Sequence, residues 1–300
     1  MALQLTLTTD RAQVRVVPHL GGGLSAFDWL AGDTPTPIFR AWNGVNDPST
    51  LACIPMLPWW ARLSRGGFAW RGRFHPVPLT DPGDSHPLHG DGWRSPWRVV
   101  ARDDHRVLLG LRSQAIAPFD YEAELEYGLV DATLSVRLSL CNRASEPLPH
   151  GLGLHPWLPR TDDVTLHAVA DGTWLEQPPA LPRTLEADAI PTDWNFSQPR
   201  RLPARFVDNC FTGWDGRAVV AWPSRGCQLE IAADPATLRY HVYAPGPERP
   251  IFCFEQVSHV IDALNLAASP EQSGLRVLEP GESTEMTVRY HASAIESPAP

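Results

Sequence analysis

Apolar and polar residues alternate with period two in five separate stretches of the chain, and a strand is the conformation that sends alternate residues to opposite faces. The first sets Leu3, Leu5 and Leu7 against Gln4, Thr6 and Thr8, and the second sets Tyr121, Ala123, Leu125 and Tyr127 against Glu122, Glu124 and Glu126. The pattern returns as Leu134, Val136, Leu138 and Leu140 against Ser135, Arg137 and Ser139, then as Cys227, Leu229 and Ile231 against Gln228 and Glu230. Met286, Val288 and Tyr290 against Glu285, Thr287 and Arg289 close the series. One wet face per strand marks antiparallel sheets, because parallel sheets are covered on both faces and read as continuous apolar runs. No apolar stripe of helical period persists beyond about ten residues, short of the usual helix of roughly 11 to 12. The pattern predicts an all-β fold, a large antiparallel β-sandwich with few short helices.

Composition sharpens this picture. The 31 prolines among 300 residues are about twice the usual share and favour interrupted connections over long helices. Proline is dense between Asp171 and Arg205, but strand patterns look alike on both sides and chemically suggestive residues flank it, so it reads as long loops inside one domain. A single domain over residues 1–291 is expected, with 292–300 as a frayed tail. Gly21, Gly22 and Gly23 lack the strand-loop-helix setting of a dinucleotide site and read as a turn. A net charge of −9 gives no basic footprint, which argues against nucleic acid and anionic membrane surfaces as partners and leaves small neutral ligands open. The first residues lack the features of a secretory signal and no apolar run is long enough to span a bilayer, so a cytoplasmic location is expected. Five scattered cysteines, at 53, 141, 210, 227 and 253, form no C-x-x-C pair and read as reduced core residues.

Several of the twelve tryptophans stand beside polar groups: Trp59 and Trp60 precede Arg62, Trp93 precedes Arg94, and Trp157 follows His155. A flat aromatic face suits the C–H surface of a sugar, although a thick core uses tryptophans just as well. In SHPLHGDGW, His86 and His89 are followed by Gly90 and Gly92, which permit tight turns and close approach of a ligand. Pro87 and the glycines prevent the helix that presents paired metal ligands, and no third ligand is near, so no metal is expected. In HGLGLHPWL, Pro156 forces His155 towards an extended conformation from which its ring either enters a cleft or sits in a core, and His150 shares that ambiguity. Glu255 follows Ile251, Phe252, Cys253 and Phe254, a run that reads as a buried strand. A carboxylate held there must be paired or must have a purpose, and burial would raise its pKa towards the range of a general base. Cys210 and Cys253 lie near these candidates, but a buried thiol is usually inert.

Taken in order, these segments resemble the aldose 1-epimerase (galactose mutarotase-like) family from about Val14 to Tyr290. PWWARLSRGGF is similar to a family segment that makes Arg62 a substrate-binding arginine, and HPLHGDGW to the motif that makes His89 a sugar-binding histidine. GLGLHPWL resembles the motif of the catalytic acid, His155; FVDNCF that of an aspartate on sugar hydroxyls, Asp208; and FCFEQVSHVIDALN that of the catalytic base, Glu255. The resemblance implies a cofactor-free mutarotase, monomeric or homodimeric, that opens and recloses an aldose ring. Its base and acid would face opposite sides of the sugar, with Trp93 and Trp157 adding apolar contact. Gln256 and the run Asp91, Gly92 and Trp93 depart from the pattern of relatives and are expected to bear on specificity. Two alternatives accompany this reading. A hexose-6-phosphate epimerase would need a phosphate grip, which Arg65, Arg71, Arg73 and Arg94 could supply, and a sugar-binding sensor would keep the cleft without turnover.

Overall fold

The computed structural model describes residues 4–177, 181–182, 187–234, 239–266 and 270–295. Two antiparallel sheets dominate them. The ten-stranded sheet runs Leu5–Thr8, Ala12–Val16, Leu24–Trp29, Cys53–Met56, Gly153–Pro159, Ile251–Val257, Arg239–Ala244, Val207–Thr212 and Gly172–Trp174, with Thr36–Pro37 paired to its third strand. The nine-stranded sheet runs Arg200–Arg201, Thr165–Ala168, Arg217–Trp222, Cys227–Ala233, Ser283–Ala294, Thr133–Asn142, Tyr121–Val130, Arg106–Ser113 and Arg98–Arg102. Both sheets therefore take strands from each half of the chain. The one described α-helix is the short Pro270–Ser273 segment.

Period two explains the packing. In Tyr121–Val130 the odd positions from Tyr121 to Leu129 are buried while Glu122 and Glu124 are exposed. The buried set meets Phe252, Phe254, Met286 and Val288 from the other strands in one large core between the sheets. Each such apolar side chain contributes about 1.5–3 kcal/mol by leaving water. Polar ties also cross this core. The Tyr290 hydroxyl donates to Gln256 Oε1, and the Tyr127 hydroxyl donates to the Gly22 carbonyl at 2.9 Å.

The Ile251–Val257 strand breaks the one-wet-face rule, being buried at every residue after Ile251. Its second face is covered too: Val257 joins Met56, Trp60, Cys210, Val260 and Ile261 in a separate apolar cluster. Trp60, Val260 and Ile261 lie in connections rather than in strands, so loops fold over part of the outer face of the ten-stranded sheet and leave an open recess there.

Two boundaries differ from expectation. The last strand continues to Ala294, whose register partner is Cys227, so residues 292–294 are paired strand, and residues 296–300 lie outside the described residues. The proline-rich stretch from Asp171 is not loop throughout: Gly172–Trp174 edges one sheet and Arg200–Arg201 edges the other. Strands this short carry too little alternation to stand out from loop sequence. Leu3 lies outside the described residues.

Candidate active site

The outer face of the ten-stranded sheet presents side chains in cross-strand rows. In the central strands His241 is the register partner of Glu255, Tyr243 of Cys253, and Asp208 of Tyr243, while Trp157 pairs with Cys253 from the other side. Residues two apart share a face, so His155 and Trp157, Cys253 and Glu255, and His241 and Tyr243 all point away from the inter-sheet core. Pro156 lies between the first pair and leaves His155 in a regular strand, opposite Ile54.

The loops complete a cavity of about 210 Å³. Its walls include Arg62, His89, His155, Asp208 and Glu255, together with Trp60, Leu88, Trp157, His241, Tyr243 and Ile261. Arg62 and His89 arrive on two segments that hold each other. The Ala61 N–H donates to His89 Nδ1 at 2.9 Å, while the His89 N–H donates to the Ala61 carbonyl at 3.1 Å. Both residues have left-handed backbones, with φ near 60°. An imidazole that accepts at Nδ1 carries its proton on Nε2, so His89 offers a neutral donor. Burial, followed by the charges of His155 and Arg62, keeps its pKa well below the ordinary histidine value.

Gly90 has a different role from the one its sequence suggests. At φ +66° its Cβ would lie 2.2 Å from the Leu57 carbonyl oxygen, so the close approach it permits is to backbone and not to a ligand. Asp91, beside it, accepts from the Tyr121 hydroxyl at 2.9 Å and from the Ser113 hydroxyl, pinning the loop to the second sheet.

Asp208 is held from two sides, with Arg62 donating to Oδ2 at 3.3 Å and His241 Nε2 donating to Oδ1 at 2.8 Å. Burial opposes its charge, but the His241 bond and the Arg62 guanidinium outweigh burial and hold the carboxyl below its usual range. Glu255 shows the opposite balance. Its Oε1 lies 3.4 Å from His155 Nε2, its Oε2 has no hydrogen-bond partner, and its side chain is 3% exposed. Burial, reinforced by the Asp208 charge and only partly offset by Arg62, lifts its pKa well above the carboxylate range. Burial also pushes His155 down to about 3, with His241 and Arg40 adding to the shift. Burial therefore works against charge on both partners, and a proton shared by the pair rests on the carboxyl.

Several sequence expectations change here. Glu255 and His155 touch on one floor instead of facing each other across a ring. Trp93 is not on the cavity wall; it packs with Val17, Leu20, Leu51 and Ile54, its ring edge-on to His89 at 6.2 Å. Trp157 is on the wall, but its ring stacks on His155 at 4.9 Å and lies under the Arg40 guanidinium at 4.2 Å. Gln256 and Asp91 face protein interior and do not line the cavity. His150 is a core histidine bonded to the Leu148 carbonyl. None of Arg65, Arg71, Arg73 and Arg94 lines the cavity, and all four are exposed. His241 and Tyr243 are polar wall residues that the sequence reading missed, as it missed the apolar Leu88 and Ile261. Their signal is the alternation in RYHVYA, where Tyr240, Val242 and Ala244 fill the core and the intervening residues need another environment.

Comparison with known proteins gives the same picture over the whole length. The uncharacterised Escherichia coli protein YphB is 32% identical over 281 residues, covering 91% of this chain and 94% of YphB. The crystal structure of a candidate aldose 1-epimerase from Escherichia coli K12 superposes with a TM-score of 0.88 at 28% identity, covering 98% of this chain and 99% of that one. A GalM/aldose epimerase homologue from Caenorhabditis elegans gives a TM-score of 0.84 over 99% of this chain and 100% of its own, which at 15% identity is a likeness of fold alone. The family model for aldose 1-epimerase matches residues 4–291, so the chain belongs to the aldose 1-epimerase family.

Proposed function

We propose that the protein is a mutarotase that interconverts the α and β anomers of an unphosphorylated aldose, with Glu255 as base and His155 as acid. The observation that carries this reading is the 3.4 Å contact between Glu255 and His155 on the floor of a cavity otherwise rich in neutral and paired polar groups. Ring opening takes a proton from O1 and gives one to O5, and both oxygens are bonded to C1. Adjacent groups therefore suit the reaction better than groups on opposite sides of the sugar.

One proton serves the whole cycle. Its transfer from the Glu255 carboxyl to His155 gives a carboxylate beside an imidazolium, ready for the closed ring. Glu255 then removes the O1 proton, the C1–O5 bond breaks with its electrons on O5, and His155 protonates O5. The open aldehyde is left beside a neutral acid and a neutral imidazole, the form that burial favours. Rotation about C1–C2 presents the other carbonyl face. His155 then takes the O5 proton as O5 attacks C1, and Glu255 returns its proton to the carbonyl oxygen.

The remaining wall groups orient the sugar, with His89 Nε2–H and Arg62 as donors and Asp208 as acceptor. A phosphorylated substrate finds no unpaired cation among the described wall residues, since Arg62 already faces Asp208. The competing phosphate reading therefore has no support from the site.

The test is polarimetry on freshly dissolved α-aldoses. Glu255→Gln keeps the shape but cannot take a proton, and the acceleration should fall by at least about a hundredfold, the lower range for a general base. Equilibration at the parental rate by this variant would remove Glu255 from the chemistry. Rapid turnover of hexose 6-phosphates with none of free aldoses would favour the phosphate reading.

A further inference from the structure

Cys253 is a buried thiol that the proton-transfer scheme does not use, yet it sits two residues before Glu255 on the same face of the same strand. The ligand atoms of His155, Cys253 and Glu255 all lie within 4.8 Å of one another, and all three residues are buried. A cysteine in such a place can be mere packing, since a free thiol behaves as a small apolar group. A second feature separates this one from packing: Glu255 Oε2 is buried and without a hydrogen-bond partner beside it, an acceptor with nothing to accept.

We propose that His155, Cys253 and Glu255 form a binding site for a thiophilic divalent cation, zinc or cadmium, which blocks the cavity floor and competes with the sugar. A nitrogen, a sulfur and a carboxylate oxygen are the donors that such ions take, and three protein ligands leave the fourth position open towards the cavity. Metal contacts of about 2.0–2.3 Å require the three side chains to draw together by up to roughly 1 Å. Binding converts the thiol to a thiolate and displaces its proton, as it does any proton on the other ligand atoms. Affinity therefore rises with pH, and a bound ion leaves neither a base nor an acid for ring opening.

The experiment titrates cadmium into the chelator-treated full chain while the thiolate-to-cadmium charge-transfer absorbance and the mutarotation rate are followed. One equivalent should produce the band and inhibit competitively with sugar, and a chelator should reverse both. Cys253→Ala should lose the band and be at least tenfold less sensitive to the ion, with its metal-free rate unchanged. Glu255→Gln keeps the thiol and should weaken cadmium binding at least tenfold by the same absorbance. Equal sensitivity of Cys253→Ala and the parent, a band that survives in Cys253→Ala, or no stoichiometric binding would overturn the site. The band does not depend on turnover. A protein that binds cadmium but never accelerates mutarotation would refute the proposed function while leaving the metal site standing.

Discussion

At the residue scale, the site depends on two carboxylates whose surroundings differ. Asp208 receives bonds from His241 and Arg62, which favour its charged form, whereas Glu255 receives none at Oε2 and is pushed towards its protonated form. Two ionisable groups pushed apart in this way mark an acid–base assignment. The consequence is a pH profile unlike that of free histidine and glutamate. A pair that holds one proton loses activity on the acid side only when a second proton enters, and burial moves that event on His155 to about 3. On the alkaline side activity is lost when the single proton leaves, above the ordinary carboxylate range. We predict that kcat/KM does not fall as pH is lowered from about 7 to about 4.5, where an unperturbed histidine would titrate and impose a decline. An acid limb centred near the free histidine value would show that His155 does not share the proton of Glu255. The same shift touches stability. Because the folded-state pKa of Glu255 is raised, the folded state holds the proton more tightly, so this group's contribution is fully present below the ordinary carboxyl value of 4.5 and is lost as pH rises through the folded value.

At the scale of the strand, register does the positioning. The row His155, Glu255, His241 runs across three neighbouring strands, and the next row brings Tyr243 and Asp208 beside it. Sequence patterning showed most of this architecture, because wet-faced strands such as Tyr121–Val130 advertise their period. It also showed Glu255, since a carboxylate at the end of an apolar run must be explained. It missed His241, because the Arg239–Ala244 strand is covered on both faces and its alternation is apolar against aromatic and imidazole instead of apolar against charged. It misplaced Trp93 and Gln256 because a motif gives a residue's order along the chain and not the face it occupies. His241 is a positioning residue acting through Asp208, and its effect should divide between kinetic constants accordingly. We predict that His241→Leu raises KM about tenfold or more with a smaller change in kcat, since Asp208 loses a donor and the sugar its orientation. His241→Gln, which retains a side-chain N–H, should recover most of the loss. A fall in kcat alone, not rescued by glutamine, would instead place His241 in the proton transfers.

At the scale of the molecule, the two sheets have separate tasks. The ten-stranded sheet displays the site on its outer face, and the nine-stranded sheet buries its apolar face against the inner one and anchors the His89 loop through Tyr121 and Asp91. The strand that carries Glu255 outwards carries Gln256 inwards, where it accepts from Tyr290 on the opposite sheet. Gln256 thus acts through stability and not through recognition, and substitution at Tyr290 can test that division of labour. In Tyr290→Phe the buried amide oxygen loses its donor, a cost of about 1–3 kcal/mol. The double variant Tyr290→Phe/Gln256→Leu removes both polar partners and should recover part of that stability, because the amide oxygen leaves together with its donor; the remaining cost is the amide N–H that Gln256 donates to the Phe254 carbonyl at 2.8 Å. Denaturant melts of the four proteins in this cycle give the coupling. Mutarotation measured well below each midpoint should be unchanged throughout, since neither side chain lines the cavity. A change in substrate preference at parental stability would mean that the inner face of the Glu255 strand reaches the sugar after all. Additive losses without coupling would mean that the hydroxyl and the amide are satisfied independently, and that apolar packing alone joins the sheets at this point.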